Sequence, residues 1–142
     1  MPQPTPIEVV KEFNTAWAQG NTEDAIAYLA EDAAYALHIS GDVLSHGGEH
    51  IGREKIATVL RTIREEFEYI LYRPLQLTAD GDTVRYQVEF MYRHRANGEV
   101  LNGRFRMVMQ VRDGLIVRAD EYHDRAKVEA FMRLVEKLPR NE

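Results

Sequence analysis

The spacing of hydrophobic residues changes along the chain, from a helical period in the first half to a period of two in the second. The first helix is predicted to begin at Pro6, because Thr5 and Glu8 have the spacing of a capping box and proline is favoured at the first helical position. The pair Gly20-Asn21 ends it. Two more helices are predicted, from Thr22 to Asp32 and from about Arg53 to Phe67.

Alternating hydrophobic and polar residues predict one strand after the second helix and four strands after the third. Three turn sequences separate the last four strands: Asp80-Gly81-Asp82, Asn97-Gly98 and Asp113-Gly114. Helices followed by a meander predict a single α+β domain over residues 1–142, with three N-terminal helices on one face of a mostly antiparallel sheet. The stretch from Arg125 to Leu138 is predicted as a short helix or a partly ordered tail. The predicted strands are residues 33–40, 68–79, 84–96, 99–112 and 115–123.

The Asn97-Gly98 turn predicts the register of the two strands that it joins. A two-residue turn places Tyr92 opposite Gly103, and residues opposite each other share a face. One face is then charged, with Glu89 opposite Arg106. The other face is apolar and aromatic, and it consists of Tyr86, Val88, Phe90, Tyr92 and His94 with Leu101, Gly103, Phe105, Met107 and Met109.

The closing hairpin decides where the last ionisable residues point. A three-residue loop, Arg112-Asp113-Gly114, is predicted because it keeps Arg118 and Asp120 on the charged face. This closure brings Glu121 and His123 to the apolar face. A two-residue closure would turn both of them outward, since a slip of one residue reverses every side chain.

Gly103 lies between Tyr92 and His123 in this register, so both side chains are expected to reach over it toward a shared ligand. Glu121 lies about 7 Å from His123 along the same strand and opposite Phe105. Burial there disfavours the charged carboxylate, which is how an acid or base that works near neutral pH is usually made. Two alternatives remain open: Glu121 pairs with a basic side chain of a helix, or Gly103 marks a β-bulge that shifts the register.

Composition narrows the classes of function. The chain is 44% hydrophobic and 29% charged, as in ordinary globular proteins, and has no apolar run that approaches the roughly 20 residues of a membrane span. Its net charge of −5 and the lack of a basic stripe argue against nucleic-acid binding. It has no cysteine, and its start, MPQPTPIEVV, does not resemble a secretory signal, so a cytoplasmic location is expected.

Cofactors and metals are not expected. No glycine-rich phosphate loop is present, which argues against nucleotide binding. His46 and His50 have a helical spacing, but they lie in a glycine-rich loop without a carboxylate-containing motif such as HExxH. Both are expected at the mouth of a pocket, either solvated or in contact with a ligand, whereas His38 should point away from it.

Three segments occur in the following order along nearly the whole chain: GNTEDAIAYLAEDAAY, HIGREKIATVL and VRDGLIVRADEYHD. Together they resemble the nuclear transport factor 2-like superfamily, which includes the SnoaL-like and ketosteroid isomerase-related proteins. The resemblance implies a cone-shaped fold, with a strongly curved sheet and three helices that enclose a pocket. It also implies a homodimer through the outer face of the sheet.

The family's catalytic residues can be compared position by position. The tyrosine, the general-base aspartate and the protonated aspartate of ketosteroid isomerases fall on Phe13, Leu37 and Met107, so the catalytic residues of that reaction are absent. The closing-strand aspartate of limonene epoxide hydrolases falls on Glu121, but their arginine and second aspartate have no counterpart. Resemblance therefore suggests a pocket rather than a particular reaction.

Two functions remain open. The first is a cofactor-independent isomerase, dehydratase, cyclase or hydrolase for a small apolar or cyclic substrate, with Glu121 as base or water-holder, His123 as its proton partner and Tyr92 as hydrogen-bond donor. The second is a binding module in which these groups only orient a ligand. The predicted pocket consists of Phe13, Trp17, Tyr35, Leu37, Tyr86, Val88, Phe90, Gly103, Phe105, Met107, Met109 and Ala119.

Overall fold

A six-stranded curved sheet with helices on its concave face forms the frame of the protein. The computed structural model describes residues 3–44 and 46–137. The strand order is β2-β1-β6-β5-β4-β3, in which β1 and β6 are parallel and all other neighbours are antiparallel. The elements are α1 (Pro6–Ala18), α2 (Thr22–Ile26), β1 (Leu29–Leu37), β2 (Gly48–Ile51), α3 (Arg53–Glu66), β3 (Phe67–Asp80), β4 (Thr83–His94), β5 (Val100–Arg112), β6 (Leu115–Tyr122) and α4 (Arg125–Lys137).

The predicted start of α1 is confirmed. The Thr5 hydroxyl accepts a hydrogen bond from the Glu8 backbone N–H at 3.3 Å, and the Glu8 carboxylate accepts one from the Thr5 backbone N–H at 3.4 Å. Two backbone donors at the helix end are satisfied in this way. The capped helix buries an apolar face that includes Val9, Val10, Phe13 and Trp17.

The second helix is shorter than predicted, and the first strand begins earlier. Leu29 was expected on the helix, but it lies in β1 opposite Ile116. The Ile116 backbone N–H donates to the Tyr28 carbonyl at 2.8 Å, so pairing with β6 ends the helix. The predicted strand 33–40 therefore becomes Leu29–Leu37. The glycine- and histidine-rich segment after it, predicted as a loop, contains the short strand β2, which places His50 opposite Tyr35.

The predicted register between β4 and β5 is wrong by two residues. Tyr92 lies opposite Leu101, and Phe90 lies opposite Gly103. The His94 backbone N–H donates to the Glu99 carbonyl, so four residues rather than two make the turn. A shift of two leaves each side chain on its predicted face, because the side-chain period of a strand is two. The shift does separate the predicted pair of Glu89 and Arg106.

The closing hairpin reaches the predicted facing by a different route. Its loop is the two-residue turn Asp113-Gly114, and both residues have positive φ angles, of 54° and 77°. A β-bulge follows at once, because Val111 pairs with Ile116 whereas Gln110 pairs with Arg118. The shorter loop and the bulge together shift the register by two residues, so Glu121 lies opposite Met107 and not, as predicted, opposite Phe105, while each side chain keeps its face. Glu121 therefore still faces inward, although the predicted three-residue loop is wrong.

The C-terminal stretch is an amphipathic helix, α4, with Val128 and Phe131 buried against the core. Leu138, the last residue of the predicted stretch, lies outside the described residues. The fold class is confirmed as α+β with a curved, mostly antiparallel sheet. Of the two alternatives for the C-terminal stretch, the helix is correct, and α4 follows the three predicted N-terminal helices. None of the helices in the described ranges is both long and apolar enough to cross a membrane.

Candidate functional site

A narrow cavity lies between the concave face of the sheet and helices α1, α3 and α4. Its volume is about 80 Å³, which is room for a few waters or part of a small ring. Most of its wall is apolar or aromatic. The sequence-predicted residues on the wall are Phe13, Trp17, Tyr35, Leu37, Tyr92, Phe105, Met107, Met109, Ala119, Glu121 and His123.

Glu121 is the centre of a hydrogen-bonded cluster on this wall. The Tyr35 hydroxyl donates to Glu121 Oε1 at 3.0 Å, and His123 Nε2 lies 2.6 Å from Glu121 Oε2. The Glu121 and His123 side chains are only 15% and 9% exposed. The His123 ring packs on Phe105, with a centroid distance of 4.5 Å. The sequence predicted that Glu121 and His123 share one face, but it gave Tyr35 no role beyond the pocket wall.

The protonation of Tyr35 follows from its surroundings. Burial raises the pKa of the Tyr35 hydroxyl well above its usual value, and the negative charge of Glu121 raises it further. Tyr35 therefore keeps its proton at neutral pH and acts as a donor to Glu121. A carboxylate offers about four acceptor positions, and the two described partners occupy two of them. Glu121 can still accept a proton or a hydrogen bond from a molecule in the cavity.

Tyr92 is not part of this cluster. Its ring stacks on Tyr69 with a centroid distance of 4.1 Å and lies 4.5 Å from the ring of Phe90. Burial raises the pKa of Tyr92 well above its usual value, so the hydroxyl stays protonated. Among the described residues, no hydrogen bond joins Tyr92 to Glu121 or His123. Its role as a donor to a substrate stays a prediction.

The space above Gly103 is filled by the protein itself. A Cβ atom at this position would lie 2.9 Å from Lys127 Nζ and 3.7 Å from the ring of Phe90. The glycine therefore admits a side chain from α4, not a gap shared by Tyr92 and His123. The prediction that another group approaches Gly103 closely is correct, but that group is the Lys127 side chain and not a ligand.

Four residues of the predicted pocket are not among those that form its wall: Tyr86, Val88, Phe90 and Gly103. The first three are packed in the core, each no more than 4% exposed. The Tyr86 hydroxyl accepts a hydrogen bond from Asn14 Nδ2 at 3.0 Å, which uses its polar group inside the core. These strand residues point to the concave side of the sheet, as predicted, but they are packed in the core and do not line the cavity.

Two tyrosines on the wall, Tyr69 and Tyr72, were missed. They are three residues apart, which violates the period of two, because a bulge at Ile70 turns both inward. Tyr69 and Trp17 enclose the guanidinium of Arg64, which lies 4.2 Å from each ring centroid. Burial lowers the pKa of Arg64, whose charge is stabilised by the two rings. No pattern in the sequence marks the bulge.

Two wall residues, Leu44 and His46, come from the loop between β1 and β2. The sequence placed His46 and His50 at the mouth of the pocket. His46 is only 7% exposed and lies on the wall, whereas His50 is half-buried and its Nε2 lies 2.8 Å from the His46 carbonyl oxygen. His38 is exposed, as expected, and its Nε2 lies 2.9 Å from Asp120 Oδ1 on the outer face.

The family model of the SnoaL-like domain matches residues 10–119 of the chain. The chain belongs to the SnoaL-like family. The predicted membership of the nuclear transport factor 2-like superfamily is confirmed. The matched region includes most of the cavity wall but ends before Glu121 and His123. No curated protein matches the sequence significantly.

Solved structures of this SnoaL-like fold are similar over most of their length. One is a proposed polyketide cyclase from Xanthomonas campestris pv. campestris, 23% identical, covering 87% of this chain and 96% of its own, with a TM-score of 0.73. Another, from Burkholderia pseudomallei, is a nuclear transport factor 2-like protein of unknown function, 17% identical, covering 94% and 98%, with a TM-score of 0.80. A third is TerC co-crystallized with polyporic acid, 18% identical, covering 93% and 98%, with a TM-score of 0.77. At these identities the likeness establishes the fold and not the activity.

Proposed function

We propose that this protein is a cofactor-independent acid–base enzyme that acts on a small apolar or cyclic substrate. Isomerisation, dehydration, cyclisation and hydrolysis are the reaction types that fit. The observation that carries the proposal is the Tyr35–Glu121–His123 cluster on the wall of an otherwise apolar cavity. Ionisable groups in such a setting interact strongly with one another, because little water screens them.

The geometry suggests a division of roles. In the tautomer in which His123 Nε2–H donates a hydrogen bond to the Glu121 carboxylate, Nδ1 is the acceptor nitrogen of the ring. His123 can then take a proton from a substrate, and the imidazolium that forms is stabilised by the adjacent carboxylate. Tyr35, held in its protonated form, stabilises the charge of Glu121 during the transfer. Glu121 is alternatively the base itself, through its remaining acceptor positions.

Loss of the carboxylate tests the proposal. Small cyclic ketones, enols and epoxides would be incubated with the protein in D₂O, and NMR would follow deuterium uptake or product formation. For any compound that the wild type converts, Glu121→Gln should lower the rate by roughly 10²–10⁴-fold, the usual contribution of a general acid or base. Glu68→Gln, an exposed carboxylate paired with Arg93, is the matched control and should leave the rate unchanged.

A binding module is the second candidate. It is favoured by the fact that both oxygens of Glu121 already have partners within the protein. A related fold crystallized with polyporic acid supports a ligand in the cavity under either proposal. If the wild type binds members of the compound panel but converts none of them, and Glu121→Gln only weakens binding, the enzyme proposal is wrong and the binding module is right.

We also propose that the chain forms a homodimer through the outer face of the sheet and works in the cytoplasm. The outer face carries half-buried Met91, Val108 and Tyr122 among charged residues. Arg106 lies over the Tyr122 ring at 5.3 Å, and Glu89 pairs with Arg73 and Arg104. Light scattering that shows only the 16.4 kDa species at micromolar concentration would contradict the dimer. Cell fractionation tests the location, for which the cysteine-free sequence is the support.

A further inference from the structure

His46 lines the cavity and has a buried polar atom that lacks a partner among the described residues. Its side chain lies on the wall and is 7% exposed, and its Nδ1 is buried without a hydrogen-bond partner among the described residues. A buried polar atom left unpaired destabilises a fold by about 1–3 kcal/mol, so each one calls for an explanation. The other such atoms in the described ranges belong to Arg64 and His94, and neither of those residues lines the cavity.

The loop that carries His46 is fixed to the sheet, so the imidazole is held in place. His50 Nε2 lies 2.8 Å from the His46 carbonyl oxygen, and His50 is paired with Tyr35 across β1 and β2. On the other side, the Gly47 backbone N–H donates to the Leu44 carbonyl at 2.9 Å. The same segment therefore connects His46 to the strand that presents Tyr35 to Glu121. A side chain held in this way loses little conformational freedom when it binds a ligand.

The chemistry of the missing partner follows from the state of the ring. Burial lowers the pKa of His46, and this outweighs the opposing effect of the nearby Glu66 and Glu121 carboxylates, so the ring is neutral at neutral pH. A neutral imidazole has one donor nitrogen and one acceptor nitrogen. A hydroxyl group both donates and accepts, so it can pair with Nδ1 in either tautomer. A charged group would lose its hydration in this apolar cavity without an opposite charge on His46 to replace it.

We infer that His46 binds a hydroxyl group of a small cyclic ligand, by a contact separate from the Tyr35–Glu121–His123 cluster. The inference rests on the proposed function, because it concerns a ligand of the same cavity. It narrows the substrate class to hydroxylated rings. One polar substituent pairs with His46 while the reacting part of the ring meets the cluster.

The test compares phenol with toluene, which differ by a hydroxyl in place of a methyl group. Dissociation constants would be measured by NMR titration for the wild type and for His46→Leu, His46→Asn and Glu121→Gln. We expect the preference for phenol to fall by roughly five- to tenfold in His46→Leu, the loss expected for one buried hydrogen bond. His46→Asn should keep most of the preference, because an asparagine amide places a polar atom at the position of Nδ1. Glu121→Gln should keep it as well.

A direct readout on the wild type does not depend on whether any variant folds. The ¹⁵N resonance of His46 Nδ1 should shift when phenol is added and stay unchanged with toluene. If phenol is not preferred by the wild type, or neither probe binds at millimolar concentration, the inference is wrong. If the preference disappears in Glu121→Gln but persists in His46→Leu, the hydroxyl of phenol binds the Tyr35–Glu121–His123 cluster. The inference about His46 is then wrong, while the proposed function still stands. Turnover in the Glu121→Gln experiment decides the proposed function independently.

Discussion

Replacing Gly47 by alanine tests how the loop places His46 in the cavity. A Cβ atom at Gly47 would lie closer than 3.0 Å to two backbone carbonyl oxygens, those of Ile39 and Ser40. The Ser40 carbonyl cannot simply move away, because it accepts the backbone N–H groups of Val43 at 2.9 Å and Leu44 at 3.1 Å. Each such hydrogen bond contributes about 0.5–1.5 kcal/mol. Losing one or two of them should lower the free energy of unfolding by about 1–3 kcal/mol.

Gly41→Ala is the matched control in the same loop. An added Cβ there has no heavy atom within 4 Å, and neither Gly41 nor Gly47 has a φ angle in the left-handed region, so the comparison isolates the steric clash. Gly41→Ala should leave stability unchanged or raise it slightly, since alanine restricts the unfolded chain. Urea denaturation measures both variants. If Gly47→Ala proves as stable as Gly41→Ala and leaves the His46 ring resonances in place, the close packing of this loop on residues 39–40 is wrong.

Two further predictions concern charged side chains. Arg64→Met removes the cation stacked on Trp17, so it should shift the fluorescence of the protein's single tryptophan. Arg61→Met, on the exposed side of the same helix, should leave that fluorescence unchanged, and equal spectra for the two variants would contradict the stacking. Asp120 is the pH-sensitive case: burial alone would raise its pKa, but hydrogen bonds led by that from Arg118 outweigh burial and lower it. The hydrogen bonds to the ionised Asp120 carboxylate therefore stabilise the folded protein at pH values above the pKa of an unfolded aspartate, near 4, and this stabilisation is lost as pH falls. Wild-type stability should therefore decline more steeply than that of Asp120→Asn between about pH 5 and pH 3, and parallel urea-denaturation profiles would exclude the effect.

The strand pattern predicted the facing of side chains better than their partners. The register of β4 and β5 was wrong by two residues, yet Phe105, Met107 and Met109 still face the cavity, because an even shift keeps every residue on its face. In the closing hairpin, the shorter loop and the bulge at Val117 each shift the register by one residue in the same direction, so Glu121 lies opposite Met107 instead of Phe105 but keeps its predicted face. The inward position of Glu121 was therefore predictable, but its partner Tyr35 was not.

Bulges and long-range pairing account for what the sequence could not provide. Tyr69 and Tyr72 share the wall only because a bulge interrupts β3, and the cost of a bulge depends on the neighbouring strand, not on the local pattern. The contact between Tyr35 and Glu121 joins residues 86 positions apart and requires β1 to pair in parallel with β6. Hydrophobic periodicity does not report such a pairing.

By itself, the sequence determined the fold class, the capped first helix, the strands of the meander and the apolar character of one sheet face, because these depend on the periodicity of side chains and on turn residues close together in the chain. Only the tertiary structure decided which polar groups meet across that face. Tyr35 was brought to Glu121 by a parallel pairing, His46 to the wall by a folded loop, and Lys127 over Gly103 by the last helix. Those meetings depend on distances between segments far apart in the chain, which local patterns do not encode.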